Sequence, residues 1–162
     1  MDITKLSDRF CVRRLYEKDV EQIYFLSCGN ALFYEYHPPF VTRESILEDM
    51  EALPPGKSYE DKFYLGFFDG EILVAVMDLI RDFPEKMTLF IGLFMMNPQY
   101  QGKGVGSKII DESISCIQKW GYRSVRLGVD IGNPQSLAFW RKNGFTAISE
   151  DKYIVMERAL SE

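Results

Sequence analysis

Apolar and polar positions change their spacing several times along this chain, and each change predicts a new element. Phe10 to Leu15 reads as a first strand, after which Glu17-Lys18-Asp19 opens a helix through about Ser27 with Ile23 and Leu26 on an apolar face. Cys28-Gly29-Asn30 stops or bends that helix, and the aromatic segment Phe33 to Phe40, with its double proline, reads as a loop. Thr42 is placed to cap a second helix running to about Leu53, with Glu44 in its first turn and Pro54-Pro55-Gly56 as terminator. Phe63 to Phe68 and Glu71 to Ile80 are apolar runs joined by Asp69-Gly70, a strong hairpin signal. Thr88 to Met96 predicts another strand. Ser107 to Trp120 carries Ile109, Ile110, Ile114 and Ile117 at helical spacing, and Gly121 supplies a stop. Ser124 to Val129 then reads as a strand and Pro134 to Lys142 as a short helix. Phe145 to Ile148 and Tyr153 to Glu157 close the chain as a strand pair.

The order is strand, two helices, three strands, helix, strand, helix, two strands: an α/β mixture with antiparallel hairpins in the middle and at the end. The connection from strand 88–96 through its helix to strand 124–129 is a candidate parallel βαβ unit. With 162 residues and 46% hydrophobic composition, and no repeat or linker, a single domain over 1–162 is expected.

Twenty-four acidic against nineteen basic residues give a formal charge of −5, which argues against nucleic acid as the main partner and is compatible with a cationic acceptor. The N-terminus lacks a signal-peptide pattern, and apolar runs such as Ile72 to Met77 are too short to span a bilayer. No membrane partner is therefore expected. Cys11, Cys28 and Cys116 show no C-x-x-C spacing and read as reduced, structural thiols of a cytoplasmic protein. No metal site is expected.

The most informative chemistry lies at Gln101-Gly102-Lys103-Gly104-Val105-Gly106-Ser107, between the apolar strand and the amphipathic helix. Glycine lets backbone N–H groups approach a ligand closely, and a helix starting there adds unpaired donors and the positive end of its dipole. Such a junction suits a phosphate or diphosphate. A mononucleotide P-loop is excluded, because Gly106-Ser107-Lys108 inverts the required Lys-Ser order. A dinucleotide fingerprint is nearly met by Gly102, Gly104 and Ser107, with Asp130 closing the following strand. However, Asn97 to Gln101 separates the strand from the first glycine, and a Rossmann turn has no room for that insertion.

The run Asn97 to Ser107 resembles the acyl-CoA loop of the GNAT superfamily, the CoA-dependent N-acetyltransferases. That loop begins with Gln or Arg, here Gln101, and places glycines where Gly104 and Gly106 stand. A second family element is similar to Asn133, Ser136, Phe139, Trp140, Gly144 and Phe145 at their spacing. The resemblance covers about residues 88–148, and it implies the GNAT fold: a mixed, mostly antiparallel sheet with a splayed parallel pair, flanked by helices. It implies acetyl-CoA as co-substrate, its diphosphate wrapped by N–H groups of Gln101, Gly102, Lys103, Gly104, Val105, Gly106 and Ser107. Lys103 could add charge; Ser107 could donate its hydroxyl or cap the helix. The pantetheine arm would pair with the backbone of Leu93, Phe94 and Met95, with Asn133 at its end and Phe139 beside it; Asn133 reads equally as an Asx-turn before Pro134.

The implied reaction is direct attack of a primary amine of a small molecule or peptide on the acetyl thioester, with the Met95 N–H polarising the carbonyl. Two departures stand out. Trp140 replaces the family tyrosine that protonates the departing thiolate, which leaves water or another tyrosine such as Tyr153. The carboxylate that some members place early in strand 88–96 is also missing. Asp78, inside the apolar run 74–80, is the candidate base, with Asp130 as a second acid near the cleft. Glu35, Tyr36 and His37 are candidates for the acceptor pocket. Dimerisation is common in the family and leaves a homodimer open, though a single sequence does not show it, and the rival reading is a non-catalytic acyl-CoA sensor or interaction module.

Overall fold

A computed structural model of the chain describes residues 1–161. Seven strands form one sheet: β1 (Cys11–Arg14), β2 (Lys62–Asp69), β3 (Ile72–Ile80), β4 (Thr88–Met96), β5 (Ser124–Asp130), β6 (Thr146–Glu150) and β7 (Tyr153–Ala159). Their spatial order is β1-β2-β3-β4-β5-β7-β6. Among the described residues only β4 and β5 pair parallel, and all other neighbours are antiparallel. The helices are α1 (Val20–Cys28), α2 (Ala31–Tyr36), α3 (Arg43–Glu51), α4 (Val105–Lys119) and α5 (Pro134–Lys142). Short 3-10 turns adjoin several of them, including Glu17–Asp19 before α1 and Pro98–Tyr100 after β4.

The sheet separates two apolar clusters. One holds Ile109, Ile110, Ile114 and Ile117 of α4 against Leu65, Val74, Leu89 and Leu127, with Trp140 and Phe145 at the α5 end. The other holds Ile23 and Leu26 of α1 and Ile46 of α3 against Tyr64, Val76 and Met95. Strands β2 and β3 are buried along nearly their whole length because both faces are covered, which is why their sequences are almost continuously apolar. A charged side chain in that setting needs a local reason, and Asp78 and Lys62 are the two buried ones there.

The predicted elements match in type and order, with one exception. The segment expected to be a loop from Phe33 to Phe40 begins as α2, so the aromatic residues up to Tyr36 are helical. Asn30 starts it, and Asn30 Nδ2 donates to the Leu26 carbonyl at 2.8 Å and to the Met96 carbonyl at 2.9 Å. A sequence reading weighted toward the nearby prolines misses a helix this short. Thr42 caps α3 as expected: its hydroxyl accepts from Ser45 N–H at 3.0 Å, while Ser45 Oγ accepts from Thr42 N–H at 2.9 Å.

Candidate active site

The site forms where β4 and β5 part. Their parallel register runs from Thr88 opposite Ser124 to Ile91 opposite Leu127 and then stops, although β4 continues to Met96 and β5 to Asp130. The next residues on the two strands are Gly92 and Gly128, both exposed. Neither carries a side chain: a Cβ at Gly92 would meet the Asp78 carboxylate, and one at Gly128 would lie 3.6 Å from Tyr153. Gly92 is also the extra residue of a β-bulge, because Asp78 lies opposite Leu93 while Leu79 lies opposite Ile91. A bulge bends its strand and redirects the side chains around it.

Behind the fork, Gly102 and Gly104 adopt φ of +72° and +78°, and a Cβ added at either would meet nothing within 4 Å. The left-handed backbone favours glycine there, and the open space leaves the main chain approachable. Gly104 is the N-cap of α4 and offers no side-chain cap. The N–H groups of Val105, Gly106 and Ser107 therefore begin the helix without intrahelical acceptors, an anion-ready arrangement. Ser107 lies inside the first turn of α4, so the capping alternative for it fails. Its Oγ accepts from Asn143 Nδ2 at 3.3 Å and lines an open cleft of about 580 Å³ beside Lys108, Lys142 and Arg158. The Lys103 ammonium folds back on the Gln99 carbonyl at 3.2 Å. Gln101 ties the loop down: its Nε2 donates to Asn30 Oδ1 at 2.8 Å and to the Met96 carbonyl at 3.1 Å.

Ladder parity corrects one expectation. Asn97 N–H donates to the Val74 carbonyl at 2.8 Å, and the register is regular back to Leu93 opposite Asp78. Hydrogen-bonded pairs alternate in an antiparallel ladder, so Met95 opposite Val76 and Leu93 opposite Asp78 give their backbone groups to β3. The Met95 N–H is thus committed to the sheet, and the Leu93 backbone with it. Phe94 and Met96 direct theirs toward the fork. The Phe94 ring packs near Phe139 at a centroid distance of 6.1 Å. Phe139 in turn borders the loop, 3.4 Å from where a Gly106 Cβ would stand. Asn133 acts as the Asx alternative requires, its Oδ1 accepting from Ser136 N–H at 3.2 Å to cap α5, and is 3% exposed.

On the far side of the fork a cleft of about 500 Å³ opens between β2–β5 and the α2 and α3 helices. Asp78 lines it and is 9% exposed; its Oδ2 accepts from Lys62 Nζ at 2.8 Å, and its Oδ1 has no partner. Gly92 makes room for this carboxylate, since a Cβ there would sit 2.9 Å from Asp78 Oδ2. Burial pushes the Asp78 carboxyl above the ordinary carboxylate range, partly offset by the Lys62 ammonium. Asp49 of α3 shares the cleft, and desolvation raises its carboxyl too, although water still reaches it. Tyr64, buried below the pair, is held in its phenol form, chiefly by desolvation and then by the two carboxylates.

Of the expected acceptor residues, His37 lines the cleft and its Nδ1 contacts Asp130 Oδ1 at 2.9 Å. Tyr36 packs near Gly132, 3.8 Å from its projected Cβ. Glu35 is exposed and lies away from the cleft wall, because it is on the outer side of the unforeseen helix α2; Phe33 and Tyr34 face the cleft instead. Asp49 and Lys62 were not legible in sequence as site residues. The one available signal was a lysine beginning an otherwise apolar strand. Trp140 borders the cleft and packs edge-on against Phe94, Phe139 and Phe145. Tyr153 lines the same cleft. Among the described residues no His, Cys, Asp or Glu cluster could hold a metal ion, and no helix is long and apolar enough to cross a membrane.

A parallel pair that forks at two glycines, backed by a helix with an open glycine N-terminus, defines an α/β fold shaped for an elongated, phosphate-bearing ligand. The profile of the acetyltransferase (GNAT) family matches residues 25–145, and the chain belongs to that family. Mycothiol acetyltransferase of Corynebacterium glutamicum is 26% identical over 144 residues, covering 88% of this chain and 46% of that protein. The N-alpha-acetyltransferase MAK3 of Arabidopsis thaliana is 21% identical over 120 residues, 68% of this chain and 62% of that one. This chain thus spans about half to three-fifths of the length of these relatives. Among solved structures, an acetyltransferase from Thermus thermophilus superposes with a TM-score of 0.79 at 19% identity, over 93% of this chain and 97% of that one. The PaiA N-acetyltransferase of Thermoplasma acidophilum, solved with coenzyme A, gives 0.69 at 20% identity over 93% and 99%. These structural likenesses establish the GNAT fold.

Proposed function

We propose that the protein transfers an acetyl group from acetyl-CoA to a primary amine of a small molecule or peptide. The observation that carries this reading is the pairing of a glycine-started helix α4 with a β4–β5 fork at Gly92 and Gly128 that lines the cleft where Asp78 lies. Acetyl-CoA supplies an activated acyl carbon. N–H groups at residues 102–107 would hold the diphosphate, each helix-end contact worth ~0.3–1 kcal/mol. The Phe94 backbone would orient the pantetheine arm, and its N–H would polarise the thioester carbonyl. The free amide nitrogen of Asn133 suits the end of the arm, with Phe139 beside it. Asp78 would take the proton of the amine, and His37, Tyr36 and Asp130 would border the acceptor. Proton return to sulfur falls to water or Tyr153, since the Trp140 indole has no usable acidity. Free Cys11, Cys28 and Cys116 support a reducing, cytoplasmic setting. The exposed edge strand β6 supports a homodimer, which sedimentation would test.

Trp140 at the tyrosine position favours a second reading, a non-catalytic acyl-CoA sensor. Calorimetry with acetyl-CoA and thioester turnover on polyamines, aminoglycosides, amino acids and peptides separate the two. Binding with turnover supports the transferase. Binding with none across the panel supports the sensor, and no binding removes both.

A further inference from the structure

We propose that Asp49, Lys62 and Asp78 form an incomplete charge cluster that the acceptor's own alkylammonium group completes, with Asp78 receiving its proton and Lys62 and Asp49 as its positioning residues. The inference rests on the acetyl-transfer reading and names the class of acceptor: a protonated aliphatic amine rather than a neutral arylamine.

The cluster sets two carboxyl groups against one ammonium. Lys62 is 4% exposed, and its Nζ donates to Asp78 Oδ2 at 2.8 Å. The other Asp78 oxygen is itself buried and has no hydrogen-bond partner, on a side chain that lines the cleft. Besides His37 and Asp130, the titratable groups that share the cleft with Asp78 are Lys62 and the phenol Tyr64 of β2, Asp49 of α3, Tyr34 of α2 and Tyr153 of β7. Across β4 stand Gly92 and Leu93, without charge. His37 and Asp130, elsewhere on the cleft wall, hold each other at 2.9 Å.

With both acids ionised the three groups sum to one negative charge, and an entering ammonium brings the sum to zero. When that ammonium passes a proton to Asp78 the cluster remains neutral, and the nitrogen gains its lone pair. The lone pair forms the C–N bond as the C–S bond breaks, the nitrogen's second proton reaches the departing sulfur through water or Tyr153, and Asp78 returns its own proton to water. An arylamine brings no charge and leaves the buried carboxylate unbalanced. Lys62 and Asp49 act on Asp78 in opposite directions: the ammonium favours the carboxylate, and the acid across the cleft disfavours it.

The test compares cyclohexylamine with aniline, a matched ring pair that is cationic and neutral near pH 7. Acetyl-CoA turnover is followed against pH in wild type, Asp49→Asn, Lys62→Met and Asp78→Asn. Expected is a preference for cyclohexylamine in kcat/KM of about tenfold or more. Asp49→Asn should move the acid limb of its pH profile to lower pH and Lys62→Met to higher pH, while Asp78→Asn removes the limb. Asp49 lies on the surface, so its variant decides the matter even where Lys62→Met does not fold. Equal use of aniline, or an acid limb unmoved by Asp49→Asn, overturns the proposal. Where acetyl-CoA binds but neither amine turns over, calorimetry of cyclohexylamine with the CoA-loaded protein decides. Binding weakened by Asp49→Asn sustains the cluster, and absent or unchanged binding overturns it. Failure to bind acetyl-CoA at all removes the acetyl-transfer reading, and this inference with it.

Discussion

Replacing Gly104 by Asp tests the anion cradle with two countable effects. The first is conformational. Gly104 has φ +78° and serves as N-cap of α4, and a Cβ there meets nothing within 4 Å. Steric clash is therefore absent, and the left-handed backbone costs a non-glycine residue about 1–2 kcal/mol, less for Asn or Asp. The second effect is electrostatic. A carboxylate about 5 Å from one unit of phosphate charge, at an effective dielectric near 20, is repelled by roughly 3 kcal/mol, a weakening of about a hundredfold. Gly104→Asn carries the same backbone strain without the charge. Calorimetric titration of CoA into wild type and both variants separates them, with melting temperatures as a check on folding. Expected is a CoA affinity within about tenfold of wild type for Asn and lower by roughly a further hundredfold for Asp, the gap narrowing as salt screens the charge. A folded Asp variant that binds CoA as tightly as the Asn variant would refute the cradle at residues 102–107.

Gly92→Ala places a Cβ 2.9 Å from Asp78 Oδ2 and should push the carboxylate off Lys62. Amine acetylation should fall by about a hundredfold or more while CoA affinity holds, measured by thioester turnover and calorimetry. Gly29→Ala drives a Cβ to 2.4 Å from Pro98 Cγ, where α1 meets the turn before the glycine loop. Thermal unfolding should show a loss of about 1–3 kcal/mol. Phe145, 1% exposed against the Trp140 ring, should cost about 3–5 kcal/mol as Ala, read by urea titration. The Arg81 guanidinium is the chief cause holding the Asp61 carboxyl down to about 2 from 3.8. That depression stabilises the fold above the unfolded value and is lost as pH falls through the folded one. The difference in melting temperature between wild type and Asp61→Asn should therefore hold from neutral pH to about 4 and vanish on approach to pH 2.

The fold was legible because its determinants are local. Ile109, Ile110, Ile114 and Ile117 declare α4 by spacing, Asp69-Gly70 declares the β2–β3 turn, and the glycines at 102 and 104 mark the helix start that positive φ requires. The acceptor side was less legible, because it is made of contacts between segments remote in sequence. Nothing in Lys62, sixteen residues before Asp78, announces that the two meet at 2.8 Å. Asp49 reads as a solvent-facing helix residue until α3 is laid over the sheet. Helix α2 hides behind Pro38 and Pro39, and only its helical turn brings Phe33 and Tyr34 to the cleft and leaves Glu35 outside it. The backbone donor is hidden from the sequence for a different reason. Whether Met95 or Phe94 turns its N–H to the fork depends on ladder parity, which a single bulge resets.

That bulge links the two halves of the site. One extra residue at position 92 offsets β4 from β3 just where β5 stops pairing, so the fork and the odd placement of the carboxylate share a cause. Any side chain at 92 would collide with the Asp78 carboxylate or displace it from Lys62. A carboxylate placed on β4 itself and one reaching over from β3 would thus compete for the same space. In this chain the glycine resolves the competition in favour of β3. Asp78 thereby reaches the cleft from a buried strand, where low solvation raises its proton affinity and the single buried ammonium of Lys62 keeps the ionised form accessible. An exposed acid on β4 would have neither influence. The acid that sequence spacing alone leaves missing from β4 is thus supplied by its neighbour, and the cost of burying it is met by Lys62.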